Sequence, residues 1–101
     1  MAHERQVRRL TAVEIEVELA RLPRWSYDSG RRALHRRVEL ADFAAVFGLM
    51  ARIAIAAEKI DHHPEWANVY NRLDIWLTTH DVDGVSPRDV ALARRIDGFE
   101  D

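Results

Sequence analysis

A chain of 101 residues is sized for a single domain with one core. Its 15 basic and 17 acidic side chains leave a net charge of −2, without the basic excess of a typical nucleic-acid binder. The absence of cysteine excludes disulfides, thiolate metal sites and a thiol nucleophile.

The first residues, Met1 to Gln6, hold no apolar run followed by a cleavage site, so a cytoplasmic location is expected. One domain is expected over residues 1–101, with residues 1–9 charged and flexible. Thr11-Ala12-Val13-Glu14 reads as a capping box, in which hydroxyl and carboxylate satisfy each other's backbone amides. A helix should run from there to about Leu22, with Ile15, Leu19 and Leu22 as its apolar stripe and Pro23 as its stop. Trp25 to Asp28 reads as a short strand and Ser29-Gly30 as a turn. In Arg32 to Leu40, Leu34, Val38 and Leu40 alternate with His35, Arg37 and Glu39, the pattern of a half-buried strand. Arg31, Arg32, Arg36 and Arg37 are either an anion patch or a solvated, aggregation-blocking face.

Asp42 is a candidate N-cap for a long helix over Phe43 to Ile60. Phe43, Val46, Phe47, Met50, Ile53, Ala54 and Ala57 follow one face of it, and Ala45, Leu49, Ile55 and Ala56 add apolar surface elsewhere. The run is shorter than the roughly 20 residues of a membrane span. A helix apolar on most sides is expected to be covered on most sides, so a homo-oligomer through the 42–60 helix and the sheet edges is anticipated, the alternative being that the first and last helices cover its second face. Trp66 to Tyr70 and Arg72 to Thr79 read as strands, with a turn at Asn71-Arg72. Ser86-Pro87-Arg88-Asp89 starts the last helix, with Ser as N-cap and Pro at its first position. The order α-β-β-α-β-β-α indicates an α+β fold, a four-stranded antiparallel sheet with helices packed on one face.

The titratable groups concentrate in two short segments: Glu58-Lys59-Ile60-Asp61-His62-His63-Pro64-Glu65 and Thr78-Thr79-His80-Asp81. Histidine titrates near neutral pH and suits proton transfer. His62 and His63 follow the C-terminal end of the long helix, whose dipole favours a protonated ring by up to about 1 kcal/mol. Glu58 and Asp61 are near enough in sequence to orient an imidazole. Residues adjacent on a strand face opposite sides, so His62 and His63 would not serve one metal ion, and no metal is expected. A His-His pair is also compatible with plain surface decoration. Asp89 reads equally as a helix-start carboxylate or a site residue, and Trp66 and Tyr70 as packing residues or stacking surface.

Asp61-His62-His63-Pro64-Glu65-Trp66, Asn68-Val69-Tyr70-Asn71, Leu77-Thr78-Thr79-His80-Asp81, Gly84 and Arg88-Asp89 closely resemble the pterin-4a-carbinolamine dehydratase family. Leu10-Thr11, Trp25 and Phe43 to Met50 fit as well, so the resemblance runs from about Leu10 to Ile96. Trp76 is bulkier than the family pattern leads one to expect. The resemblance implies dehydration of 4a-hydroxytetrahydropterin to quinonoid dihydropterin, a step in tetrahydropterin recycling after aromatic amino acid hydroxylation. It implies no cofactor, a homodimer or homotetramer, and a functional link to a hydroxylase; charge and helix length already argue against a direct nucleic-acid or membrane partner. By position, His62, His63 and His80 are implied as catalytic: His62 the main acid/base, His80 a second acid, His63 mainly positioning the pterin. Asp61, Thr78, Thr79 and Asp81 are implied as substrate contacts, Trp25 as a pocket wall, and Glu58 and Asp89 as orienting carboxylates. The alternative implied by animal relatives is a transcription-cofactor role, with the long helix as the docking element.

Overall fold

The computed structural model describes residues 7–99. Of the N-terminal stretch expected to be flexible, residues 1–6 lie outside the described residues. Within it, Arg8 donates twice to Glu14 at 2.9 Å, and the Arg9 guanidinium reaches the Asp83 carbonyl at 3.5 Å.

The elements follow the order α1 (Ala12–Ala20), β1 (Ser26–Asp28), β2 (Ala33–Glu39), α2 (Phe43–Lys59), β3 (Glu65–Val69), β4 (Arg72–Leu77) and α3 (Pro87–Gly98), with a 3₁₀ turn at His80–Val82. This is the α+β fold expected. The capping residues act as read: Thr11 and Glu14 close a capping box on α1, Asp42 accepts from the Ala45 amide, and Ser86 and Asp89 close a second box on α3.

The four strands form one antiparallel sheet in the order β1-β2-β4-β3. Both β2 and β3 are antiparallel to β4, which lies between them. The hairpin register pairs Glu65 with Trp76. The start of β3 therefore lies beside the end of β4, and the segments leading into β3 and out of β4 emerge at the same end of the sheet.

Leu34 and Val38 of β2 and Leu73, Ile75 and Leu77 of β4 point into the core, where they join Ile15, Val46, Leu49, Ile53, Leu92 and Ile96 from the helices. The buried stripe of α2 is Val46, Leu49, Ile53, Ala56 and Ala57, while Phe43, Phe47 and Ala54 are exposed. This corrects the face assigned from sequence. On a helix with apolar residues almost all round, periodicity allows several stripes, and only packing chooses among them. Among the described residues the second face of α2 stays uncovered: Phe43, Phe47 and Ile55 are 46%, 57% and 61% exposed. Among the described residues, no helix is long and apolar enough to cross a membrane.

Of the four arginines of the β1–β2 hairpin, Arg31, Arg32 and Arg37 lie on a solvated face, as one of the two readings had it, each with a partner, and only Arg36 departs from it. Arg31 stacks 3.7 Å above the Trp76 ring, Arg32 pairs with Asp83, Arg37 donates to both oxygens of Asp74, and Arg36 is buried against Asp97. On the open face of the sheet, Asp74 also contacts His35 Nε2 at 2.9 Å. The Arg37 guanidinium, with His35 beside it, holds the Asp74 carboxyl below its ordinary value. A carboxylate lowered by folding adds stability above its unfolded value, and that stability is lost as pH falls through the folded one. Asp74→Asn should therefore be less stable than wild type by about 1–2 kcal/mol at pH 7. The difference should close below about pH 4, as followed by urea unfolding across pH.

Candidate active site

Helix α2 ends in a complete Schellman motif. The Asp61 amide donates to the Glu58 carbonyl at 3.2 Å and the His62 amide to the Ala57 carbonyl at 3.1 Å. Asp61 occupies the left-handed position with φ of 54°, where glycine is usual and Asp is tolerated because its short polar side chain can bond locally. The motif reverses the chain sharply and fixes the backbone of His62. Neither His62 nor His63 is in a strand, since β3 begins at Glu65. Their divergence arises from the helix cap and Pro64 instead: His62 is buried, while the His63 side chain is 56% exposed.

His62 Nε2 contacts Asp89 Oδ1 at 2.6 Å. Asp89 is fully buried at 0% exposure. Its Oδ2 accepts from the Thr79 hydroxyl at 2.8 Å and from the Ser86 amide at 2.9 Å. Thr79 Oγ1 lies 2.7 Å from Ser86 Oγ. Because the Thr79 hydroxyl proton goes to Asp89, the Ser86 hydroxyl donates to Thr79, and proton donation runs one way to the carboxylate. The two readings of Asp89 coincide: it is the helix-start carboxylate and the partner of His62.

His63 Nε2 contacts Glu58 Oε1 at 2.8 Å, so Glu58 holds the neighbour of His62 rather than His62 itself. His80, in the 3₁₀ turn after β4, places Nε2 2.9 Å from Glu65 Oε2. Each of the three rings thus turns Nε2 to a carboxylate. Among the described residues no hydrogen bond engages Nδ1 of any of them.

Asp61, His62, His63, Thr78, Thr79, His80, Asp81 and Arg88 line one open cleft of about 230 Å³. The 80–85 loop behind it is closed by the Thr79–Gly84 bridge, whose Thr79 amide donates to the Gly84 carbonyl at 2.9 Å. Both threonine hydroxyls are already committed, Thr79 to Asp89 and Thr78 to the Arg32 carbonyl at 2.8 Å. Trp25 is not brought to the cleft. It lies just ahead of β1, is 5% exposed in the core, and its indole donates to Asp97 at 2.9 Å. Trp66 packs partly against the core, and Tyr70 is exposed in the β3–β4 turn. Arg88, which reads from sequence either as a solvated or salt-bridging side chain or as a site residue beside Asp89, does line the cleft from the first turn of α3. Glu65 was passed over as part of the His-His-Pro motif, and its pairing with His80 shows only in the tertiary structure. Among the described residues, no three His, Asp or Glu side chains are grouped to hold a metal ion.

Imidazoles backed by carboxylates around one open cleft, on an α+β scaffold without a thiol, form a site equipped for proton transfer to and from a small polar molecule. Comparison with known proteins gives the chemistry a family. The profile described as pterin 4 alpha carbinolamine dehydratase matches residues 8–99. A protein of Burkholderia orbicola named a pterin-4-alpha-carbinolamine dehydratase is 52% identical over 92 residues, covering 91% of this chain and 90% of that one. One of Rhizorhabdus wittichii with the same name is 53% identical over 90 residues, covering 89% and 93%. A crystal structure described as a transcriptional coactivator/pterin dehydratase from Brucella melitensis superposes with a TM-score of 0.87 at 44% identity, covering 90% of this chain and 97% of that one. The chain belongs to the pterin-4-alpha-carbinolamine dehydratase family, and on that ground it is a hydro-lyase.

The buried carboxylate sets a stability test. Asp89→Ala leaves the Thr79 hydroxyl, the Ser86 amide and the His62 ring without their acceptor, and should lower unfolding free energy by about 3–5 kcal/mol. Asp89→Asn, which keeps one acceptor oxygen, should cost less. Urea denaturation of the two variants checks the order; equal stability of Asp89→Ala and wild type would sink the assignment.

Proposed function

We propose that this protein dehydrates a 4a-hydroxytetrahydropterin to the quinonoid dihydropterin, through proton transfers by His62 and His80 in the cleft. The observation that carries this reading is the convergence of His62, His63 and His80 on one cleft, each backed by a carboxylate. In the reaction the N5 lone pair expels the C4a hydroxyl, which leaves as water with a proton supplied by an imidazole. N5 then gives up its own proton to an imidazole, and the product carries a C4a=N5 double bond. The site loses one proton and regains one, so no oxidant or reductant is required.

His62 is the main acid/base in this reading. Its Nε2 is occupied by Asp89, which leaves Nδ1 to face the substrate. A carboxylate on the far nitrogen fixes the tautomer and stabilises the imidazolium that forms when the near nitrogen takes a proton. His80 supplies the second acid from a different segment, and His63, exposed and held by Glu58, positions the pterin. Asp61, Asp81 and Arg88 supply the polar rim that a heterocycle with donor and acceptor edges requires. The committed threonine hydroxyls shape the wall through their backbone and methyl groups. The hydroxylated pterin would come from an aromatic amino acid hydroxylase reaction.

Self-association through α2 belongs to the same reading. The exposed Phe43 and Phe47 rings stack on each other at 5.7 Å beside Ala44, Gly48, Ala51 and Ile55, an apolar stripe that a second copy would cover. A protein-interaction role, as the coactivator name of the Brucella protein has it, would use this same stripe. A partner that forms a stable complex while dissolving the homo-oligomer would mark that second role.

Two measurements check these statements. The wild type should speed the loss of 4a-hydroxytetrahydropterin, followed in the ultraviolet, and His62→Ala/His80→Ala should slow it by about 10²- to 10⁴-fold. A wild-type rate equal to that of buffer would overturn the dehydratase reading. Size-exclusion chromatography with light scattering should give a mass of two or four chains at micromolar concentration, and a strict monomer would refute association through α2.

A further inference from the structure

We propose that Glu65 is the positioning residue for His80, held in place by Arg31 and the Trp76 ring on the open face of the sheet. The proposal deepens the dehydratase reading and rests on it for the role of His80.

The network is built on the β3–β4 register. Glu65 pairs with Trp76 across the hairpin, and opposed residues of an antiparallel pair share a face. The two Glu65 oxygens face different partners: Oε2 lies 2.9 Å from His80 Nε2, and Oε1 lies 3.5 Å from the Arg31 guanidinium. That guanidinium is fixed from below, 3.7 Å above the Trp76 ring. Trp76 is fixed in turn, because its indole donates to Asp28 Oδ2 at 3.1 Å and the ring of His35 lies 5.1 Å away. The other oxygen of Asp28 accepts the Arg31 amide at 3.1 Å, which closes the loop.

His80 needs such help more than its neighbours do. Its side chain is 81% exposed, whereas His62 is buried against Asp89. An exposed ring on a 3₁₀ turn samples several rotamers unless something holds it. The other charged groups around the cleft are Asp61, Asp81, Arg88, His62 and His63, and among the described residues none of them contacts the His80 ring through a hydrogen bond or ion pair. Glu65 is therefore what directs Nε2 outward and leaves Nδ1 for the cleft. Trp76 is the platform on which this arrangement stands. A smaller residue there would leave Arg31 without a surface to lie on and Glu65 without its second tether.

The test joins kinetics to a readout that needs no substrate. With wild type active on the hydroxypterin, Glu65→Ala should lower kcat about three- to fivefold, the range of an exposed ion pair, with KM within twofold. Glu65→Asp should restore part of the loss. In a His80→Ala background Glu65→Ala should have no further effect, because Glu65 acts through His80. Relaxation of the His80 ring Cε1–H group by NMR should show an ordered ring in wild type and a mobile one in Glu65→Ala and Trp76→Ala. Equal ring order with and without Glu65, or an equal kcat loss when His80 is already absent, overturns the proposal. Should wild type prove inactive, the dehydratase reading fails, and the ring-order comparison alone decides the positioning role.

Discussion

The buried carboxylate of Asp89 is the tie on which the site depends. It has no exposure to solvent, and a bare anion in such a place would cost several kcal/mol. Donors from three separate segments offset that cost: the His62 ring after α2, the Thr79 hydroxyl after β4 and the Ser86 amide at the head of α3. Each segment is bound to the others through one side chain. The N-terminus of α3 favours the negative charge as well, because its free amides and dipole point at it. The group that starts the helix therefore also orients the imidazole.

Topology puts those segments within reach. The β4 strand lies between β2 and β3, and the Glu65–Trp76 register sets the entrance to β3 beside the exit of β4. A slip of one residue would turn Ile75 and Leu77 out of the core, so the hydrophobic face fixes the register. The site inherits its geometry from that apolar requirement. The Schellman turn at Asp61 contributes at that same end, because it reverses the chain at the residue that leads into His62.

Much of the fold was legible because its signals are local. Capping boxes at Thr11 and Ser86, the Asp42 cap and the alternation in β2 and β4 each lie within a few residues. The site was legible in part for the same reason, since the histidines and their nearest carboxylates fall in two short segments. Errors came where a residue's meaning depends on something distant. Arg36 sits in a run of arginines yet is buried against Asp97, 61 positions away. Trp25 shares that carboxylate and so belongs to the core rather than to the cleft. On α2 an excess of apolar positions made the buried stripe ambiguous, and the sheet decided it.

Sequence alone determined the element order, the helix ends, the absence of thiol chemistry and the set of imidazoles available for proton transfer. Those follow from residue type and from spacing of a few positions, where the chain's own covalent geometry limits the outcome. Only the tertiary structure decided which carboxylate faces which ring: Asp89 for His62, Glu58 for His63 and Glu65 for His80. The His62–Asp89 and His80–Glu65 pairs join residues 27 and 15 positions apart. No local rule relates such residues. Burial of the apolar face brings them together, and for His62 and Asp89 the need to satisfy a buried polar group then selects the partner.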